Sequence, residues 1–131
     1  MPFSHPIEVR FRDLDAMGHV NNAVVVSFME QARYMWWRGF LAGRAFTEEG
    51  FLIARTEVDY RRPILLGDDV RVELRCTKVG TTSFDVVYRL TRGPGGAVFA
   101  EGRTVQVMLD FATQAPAPLA ERTRAWLATQ G

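Results

Sequence analysis

Two periodicities divide this chain. From Ile7 to Arg12 the residues alternate, with Ile7, Val9 and Phe11 to one side and Glu8, Arg10 and Arg12 to the other, the signature of a short half-buried strand. From about Asn22 to Leu41 the pattern changes. Val24, Val25, Val26, Phe28, Met29, Ala32, Tyr34, Met35, Trp36, Trp37, Phe40 and Leu41 cover most of a helical wheel and leave Glu30, Gln31, Arg33 and Arg38 a narrow polar sector. A helix apolar nearly all round is a buried helix. Asn21 or Asn22 can cap its start, and Gly39 or Gly43 marks its end.

Beyond a loop through Thr47–Gly50 the period of two returns. Residues 52–62 set Ala54, Thr56, Val58 and Tyr60 against Arg55, Glu57, Asp59 and Arg61, and stop at Pro63, where a sheet ladder would lose a donor. Val70, Val72, Leu74 and Cys76 alternate with Arg71, Glu73, Arg75 and Thr77, and Phe84, Val86, Tyr88 and Leu90 form another apolar face. Turn chemistry at residues 66–69, 79–82 and 93–96 separates these runs. A last long strand spans roughly residues 97–109, and Ala115-Pro-Ala-Pro118 leads to a short helix over 119–129. The order is strand, long buried helix, four strands, small helix. An α+β architecture follows: a five-stranded antiparallel sheet wrapped around one long central helix, which is the hotdog fold. One sheet covers only part of such a helix, so a homodimer or tetramer is expected.

At 131 residues the chain fits one domain, residues 1–131. A formal net charge of +1 offers no electrostatic footprint for nucleic acid or an anionic membrane. A single cysteine, Cys76, excludes an internal disulfide framework. With no signal-like start and no apolar run long enough to span a bilayer, a soluble cytoplasmic protein is expected.

The chemistry concentrates in Phe11-Arg-Asp-Leu-Asp-Ala-Met-Gly-His-Val-Asn-Asn22, between the first strand and the buried helix. A helix N-terminus carries N–H groups without intrahelical partners and a partial positive charge. It can stabilise an oxyanion, and a carboxylate beside it, Asp13 or Asp15, can act as base or nucleophile. Either carboxylate could instead be a capping or solvated group. His19 is a helper that orients water or substrate, or a loop residue bonded to backbone. Glu30 is a helix base or half of an ion pair with Arg33 or Arg38. His5 and His19 lack metal-ligand spacing. There is no Gly-x-Ser-x-Gly elbow and no glycine-rich nucleotide loop, so no metal or other cofactor is expected.

These blocks, followed by Phe28-Met-Glu-Gln-Ala-Arg33, Thr56-Glu-Val-Asp-Tyr60 and Pro63-Ile-Leu-Leu-Gly-Asp-Asp69, resemble the hotdog thioesterases of the 4-hydroxybenzoyl-CoA thioesterase type, including the YbgC-like acyl-CoA thioesterases. The resemblance implies acyl-CoA hydrolysis to free acid and thiol. It makes Asp15 the catalytic carboxylate, the N–H near Asn22 the oxyanion donor, and His19 their neighbour. Val20 and Asn21 then border the substrate, and Thr56, Asp59 and Tyr60 face it from a partner subunit. Where the hydroxybenzoyl enzyme carries a basic run, this chain has Gly80-Thr-Thr82. Coenzyme A phosphates are therefore expected at Arg61, Arg62, Lys78 or Arg103. The alternatives on the same fold are a thioesterase acting on acyl-carrier protein and a non-catalytic acyl-thioester-binding module.

Overall fold

The computed structural model describes residues 2–131. Strand β1 (Phe3–Ile7) is followed by the long helix α1 (Asn22–Leu41). Then come β2 (Phe51–Tyr60), β3 (Val70–Val79), β4 (Ser83–Arg92), β5 (Val98–Asp110), a two-residue β6 (Ala115–Pro116) and α2 (Glu121–Ala128). Every pairing is antiparallel, in the order β1-β3-β4-β5-β2, with β6 added to the end of β5. The four later strands lie where expected, and the short first strand lies nearer the N-terminus. The segment read as a plain spacer, residues 115–118, contributes β6 by pairing with Leu109 and Asp110.

The sheet curls against α1 because its inward positions are apolar on both central strands. Val70, Val72 and Leu74 of β3 and Phe84, Val86 and Leu90 of β4 are buried, facing Phe28, Met29, Ala32, Trp36 and Trp37 of the helix. Gly102 of β5 lets the helix come close: a Cβ there would lie 2.6 Å from Met29 Cε. At the far end of α1, Trp36, Trp37 and Phe40 meet Trp126 of α2 with ring centroids 5.0–5.7 Å apart. Buried Glu49 fastens this end, accepting from Arg44, Arg122 and Thr123. The opposite flank of α1 stays open, with Tyr34 exposed and Val24, Val26 and Met35 only half-buried. No helix among the described residues is long and apolar enough to cross a membrane.

Three local expectations shift. The first strand lies at Phe3–Ile7 rather than over residues 7–12, because Arg10 and Asp13 close a 3-10 turn over Phe11–Asp13. Val9 is buried within that turn region and Phe11 is left exposed, so the apparent alternation belongs to a turn. Helix α1 runs through Gly39 and ends at Ala42, whose φ of 48° supplies the left-handed cap ahead of Gly43. In β2 a bulge between Ile53 and Arg55 resets the alternation. Phe51 and Ile53 pair with the buried Met108 and Gln106, and Thr56, Val58 and Tyr60 with Thr104, Gly102 and Ala100. Directly opposed residues share a face, so those five point toward the helix and Ala54 drops out of the inward set.

Candidate active site

The loop before α1 is shaped by Asp15. Leu14 bridges to Val20, and the Asp15 N–H donates to the His19 carbonyl at 2.7 Å. Gly18, at φ 80°, makes the reversal in a region that other residues seldom adopt. One carboxylate oxygen of Asp15, Oδ1, accepts from the N–H groups of Met17 at 2.9 Å and His19 at 3.2 Å. Among the described residues Oδ2 has no protein donor, and the residue is exposed. The loop is tied down by the Val20 N–H to the Ile64 carbonyl at 2.8 Å and by a bridge from His19 to Leu65.

The neighbouring carboxylate has a different task. Asp13 is 2% exposed and accepts from the backbone N–H of Arg10 at 2.8 Å and from its guanidinium at 3.0 Å. Burial pushes its carboxyl up, but the Arg10 hydrogen bonds and charge more than offset this and hold it below the usual carboxylate range. The Asp13 carbonyl also receives the Asn21 N–H at 2.9 Å, which sets the chain into the helix.

Asn21 is the cap. Its Oδ1 accepts from Ala23 N–H at 2.8 Å, and its carbonyl takes the N–H groups of Val24 and Val25. That leaves the Asn22 N–H with no acceptor among the described residues, at the electropositive end of a 20-residue helix. The Asn22 carbonyl is held by the Tyr60 hydroxyl, which donates to it at 2.8 Å and pins the end of β2 to the first turn of α1.

A cleft of about 250 Å³ gathers most of the expected residues. Asp15, His19, Val20 and Asn22 form one wall, and Tyr60, Arg61 and Arg62 form the other. Pro63, Ile64, Phe99 and Ala100 complete it. They were not expected, and their plain apolar character marks them no more than any core residue. Asn21 acts from behind as the cap. Thr56 lies further along the helix-facing side of β2, outside the cleft, and Asp59 points to the opposite face, 3.9 Å from Arg61. Of the candidate phosphate contacts, Arg103 is held by Asp85 at 2.7 Å and Glu57 at 3.3 Å. Lys78, on β3, does not line the cleft. Arg61 pairs with Glu101 at 3.5 Å, whereas Arg62 makes no ion pair among the described residues. No three His, Cys, Asp or Glu side chains among the described residues group closely enough to hold a metal ion.

A second, larger hollow was not expected. It measures about 510 Å³ and lies further along α1, lined by Glu30, Arg33, Tyr34, Phe46, Phe51 and Ile53, with Ser27 and Gln31. The sequence does show Glu30 and Arg33 three apart, and the two stand 4.0 Å from one another.

The fold and sequence recur in known proteins. The model of the thioesterase-like superfamily matches residues 9–127. The chain is 32% identical to the 1,4-dihydroxy-2-naphthoyl-CoA hydrolase of Synechococcus elongatus, covering 91% of this chain and 90% of that protein. It is 30% identical to the long-chain acyl-CoA thioesterase FadM of Escherichia coli, covering 82% and 83%. Among solved structures, a Thermus thermophilus thioesterase complexed with coenzyme A and Zn is 40% identical and superposes with a TM-score of 0.80 over 95% of each chain. A Bacillus stearothermophilus protein described as a predicted thioesterase gives a TM-score of 0.91 at 30% identity, covering 99% of this chain and 96% of that one. The match running from Val9 to Leu127 takes in both walls of the cleft, and the chain belongs to the thioesterase-like superfamily.

Proposed function

We propose that this chain hydrolyses acyl-CoA thioesters to the free acid and coenzyme A, using Asp15 and the backbone N–H of Asn22. The observation that carries the reading is the pairing of an uncommitted helix-start N–H with a carboxylate oxygen free of protein donors, both lining one cleft. A thioester carbonyl placed against the Asn22 N–H gains stabilisation as negative charge builds on its oxygen. Asp15 Oδ2 then takes a proton from water, whose oxygen attacks the carbonyl carbon, or attacks that carbon itself and is released by water afterwards. In both routes the C–S bond breaks, the thiolate leaves and is protonated, and one water is consumed. His19, on the same wall, orients the attacking water, and Arg62 offers an unpaired cation to a phosphate of the carrier.

Asp15→Asn tests the assignment cleanly. The amide oxygen can still accept from Met17 and His19, so the loop keeps its turn while losing its base. Hydrolysis of an acyl-CoA, followed by thiol release, should fall about a hundredfold to ten-thousandfold, with the circular dichroism spectrum unchanged. Undiminished turnover would remove Asp15 from the chemistry. The uncharged Gly80-Thr-Thr82 turn favours a second reading, acyl-carrier protein as the thiol carrier, and comparing one acyl group on the two carriers decides between them.

The assembly belongs to the same proposal. Strand β2 ends the sheet with no neighbour beyond it among the described residues and is largely exposed on both faces. A second copy added there would bring its own Thr56–Tyr60 segment against the cleft, and a homodimer or tetramer is the working form. The lone buried cysteine and a cofactor-derived substrate suit a cytoplasmic enzyme.

A further inference from the structure

Between α1 and the sheet runs a chain of buried polar groups that the chemistry at Asp15 does not use. Arg33 is only 8% exposed. Its Nη1 donates to the Tyr88 hydroxyl at 3.1 Å, which lies 2.6 Å from Thr104 Oγ1. Thr104 donates to Gln106 Oε1, and Gln106 Nε2 donates to the Phe84 carbonyl at 2.9 Å. The protons have one consistent direction. Thr104 spends its single proton on Gln106, so Tyr88 must donate to Thr104 and accept from Arg33. Burial pushes the Tyr88 phenol up, outweighing the nearby Arg33 charge, which keeps that proton in place.

This chain fixes one nitrogen of the guanidinium and leaves the others facing the larger hollow. An arginine carries five N–H donors, and the acidic group nearest to hand is Glu30, at 4.0 Å and with its side chain 73% exposed. That separation is too long for a hydrogen bond. The remaining donors open into the hollow, so whatever fills it buries them and must offer them an acceptor. Tyr34, Phe46, Phe51 and Ile53 form the apolar part of the lining, Tyr34 and Phe46 stacking at 6.4 Å with 13° between their planes, beside the polar Ser27 and Gln31. Eight residues of helix separate Asn22 from Glu30, a rise of about 12 Å. Strand β2 follows the same course, from Tyr60 at the cleft past Val58 and Thr56 to Ile53 and Phe51 at the hollow.

Building on the thioesterase reading, we propose that the hollow receives the far end of the acyl group, and that Arg33 is a specificity residue that recognises a hydroxyl there, with Glu30 accepting the hydroxyl proton. A plain hydrocarbon filling the hollow would bury those donors unmet. A carboxylate would meet the negative charge of Glu30. A hydroxyl accepts from one and donates to the other. Extended chain advances about 1.2 Å per bond, so the 12 Å span corresponds to roughly ten bonds of acyl chain. The substrate class is a medium-length acyl group hydroxylated near its end, longer than a single ring or a short acid.

The test compares kcat/KM for ω-hydroxydecanoyl-CoA and decanoyl-CoA in the wild type, Arg33→Met and Glu30→Gln. The wild type should favour the hydroxylated substrate by about tenfold or more, the scale of a hydrogen bond to a charged donor. Arg33→Met should bring the ratio near unity. Glu30→Gln, an exposed change that spares the core, should lower it severalfold and keeps the test decisive if Arg33→Met misfolds. Equal rates for the two substrates in the wild type, or a preference that survives substitution, would overturn the inference while leaving the hydrolase standing. Hydrolysis of neither substrate would overturn this inference, whereas the thioesterase reading falls only if acyl-CoA thioesters of other lengths and aromatic ones also go uncleaved.

Discussion

Two aspartates two residues apart stand in opposite surroundings. Asp13 is buried and paired with Arg10, and Asp15 is exposed with one oxygen uncommitted. The sequence placed both at the junction, and only the family resemblance favoured Asp15; the burial that separates them comes from the 3-10 turn, which leaves no mark in the apolar periodicity. The two substitutions should therefore diverge. Asp15→Asn costs turnover, and Asp13→Asn costs stability in a pH-dependent way. The folded carboxyl of Asp13 binds its proton less tightly than the unfolded one. Its contribution is thus complete above the ordinary carboxylate range and is lost as pH falls through the lower folded value. Urea unfolding between about pH 5 and pH 2 should show wild type losing more stability than Asp13→Asn, the two curves converging at the acid end. Parallel curves would remove Asp13 from the acid response.

At the scale of elements, α1 was the most legible part of the chain. Its dense apolar run and the Asn21-Asn22 pair place its start, and the run's last residue Leu41 its end, where the structure has them; only the left-handed cap at Ala42, ahead of Gly43, had no glycine to signal it. The bulge in β2 was invisible for a related reason: one extra residue among small and charged neighbours does not disturb an alternating pattern until the partner strand is known. The start of α1 also permits a test of a backbone group. Asn21 has ψ 139°, an extended conformation that a following proline requires, and proline is well tolerated at the first helical position. Asn22→Pro should therefore fold, keep the carbonyl that Tyr60 holds, and lack the N–H together with the carboxamide, a side-chain loss that Asn22→Ala controls for. A fall in kcat of about a hundredfold to a thousandfold, the loss seen when one oxyanion donor is removed, would match the role given to it. Unchanged kcat would assign oxyanion stabilisation elsewhere.

For the molecule as a whole, the order of strands leaves β2 as an uncovered edge next to the flank of α1 that the sheet does not reach. Leu52, Ile53, Tyr34 and Tyr60 are exposed along it, more apolar surface than an isolated edge strand usually shows to water. Sedimentation should give at least twice the chain mass. Dilution below the dissociation point should reduce specific activity together with mass, if a partner completes the cleft as proposed. A fully active monomer would contradict this arrangement.

The same division of the molecule into a reactive end and a closed end has an optical consequence. All three tryptophans of the chain, Trp36, Trp37 and Trp126, lie in one aromatic cluster where α2 meets the last turns of α1. Along the helix axis that cluster stands about 20 Å from Asn22. Intrinsic fluorescence will therefore register the seating of the C-terminal segment and remain nearly silent to events at the thioester carbonyl. An emission change on denaturation would report the opening of this closed end, where the rings also pack on Phe84 and Phe51, and Asp15→Asn would leave the emission unchanged.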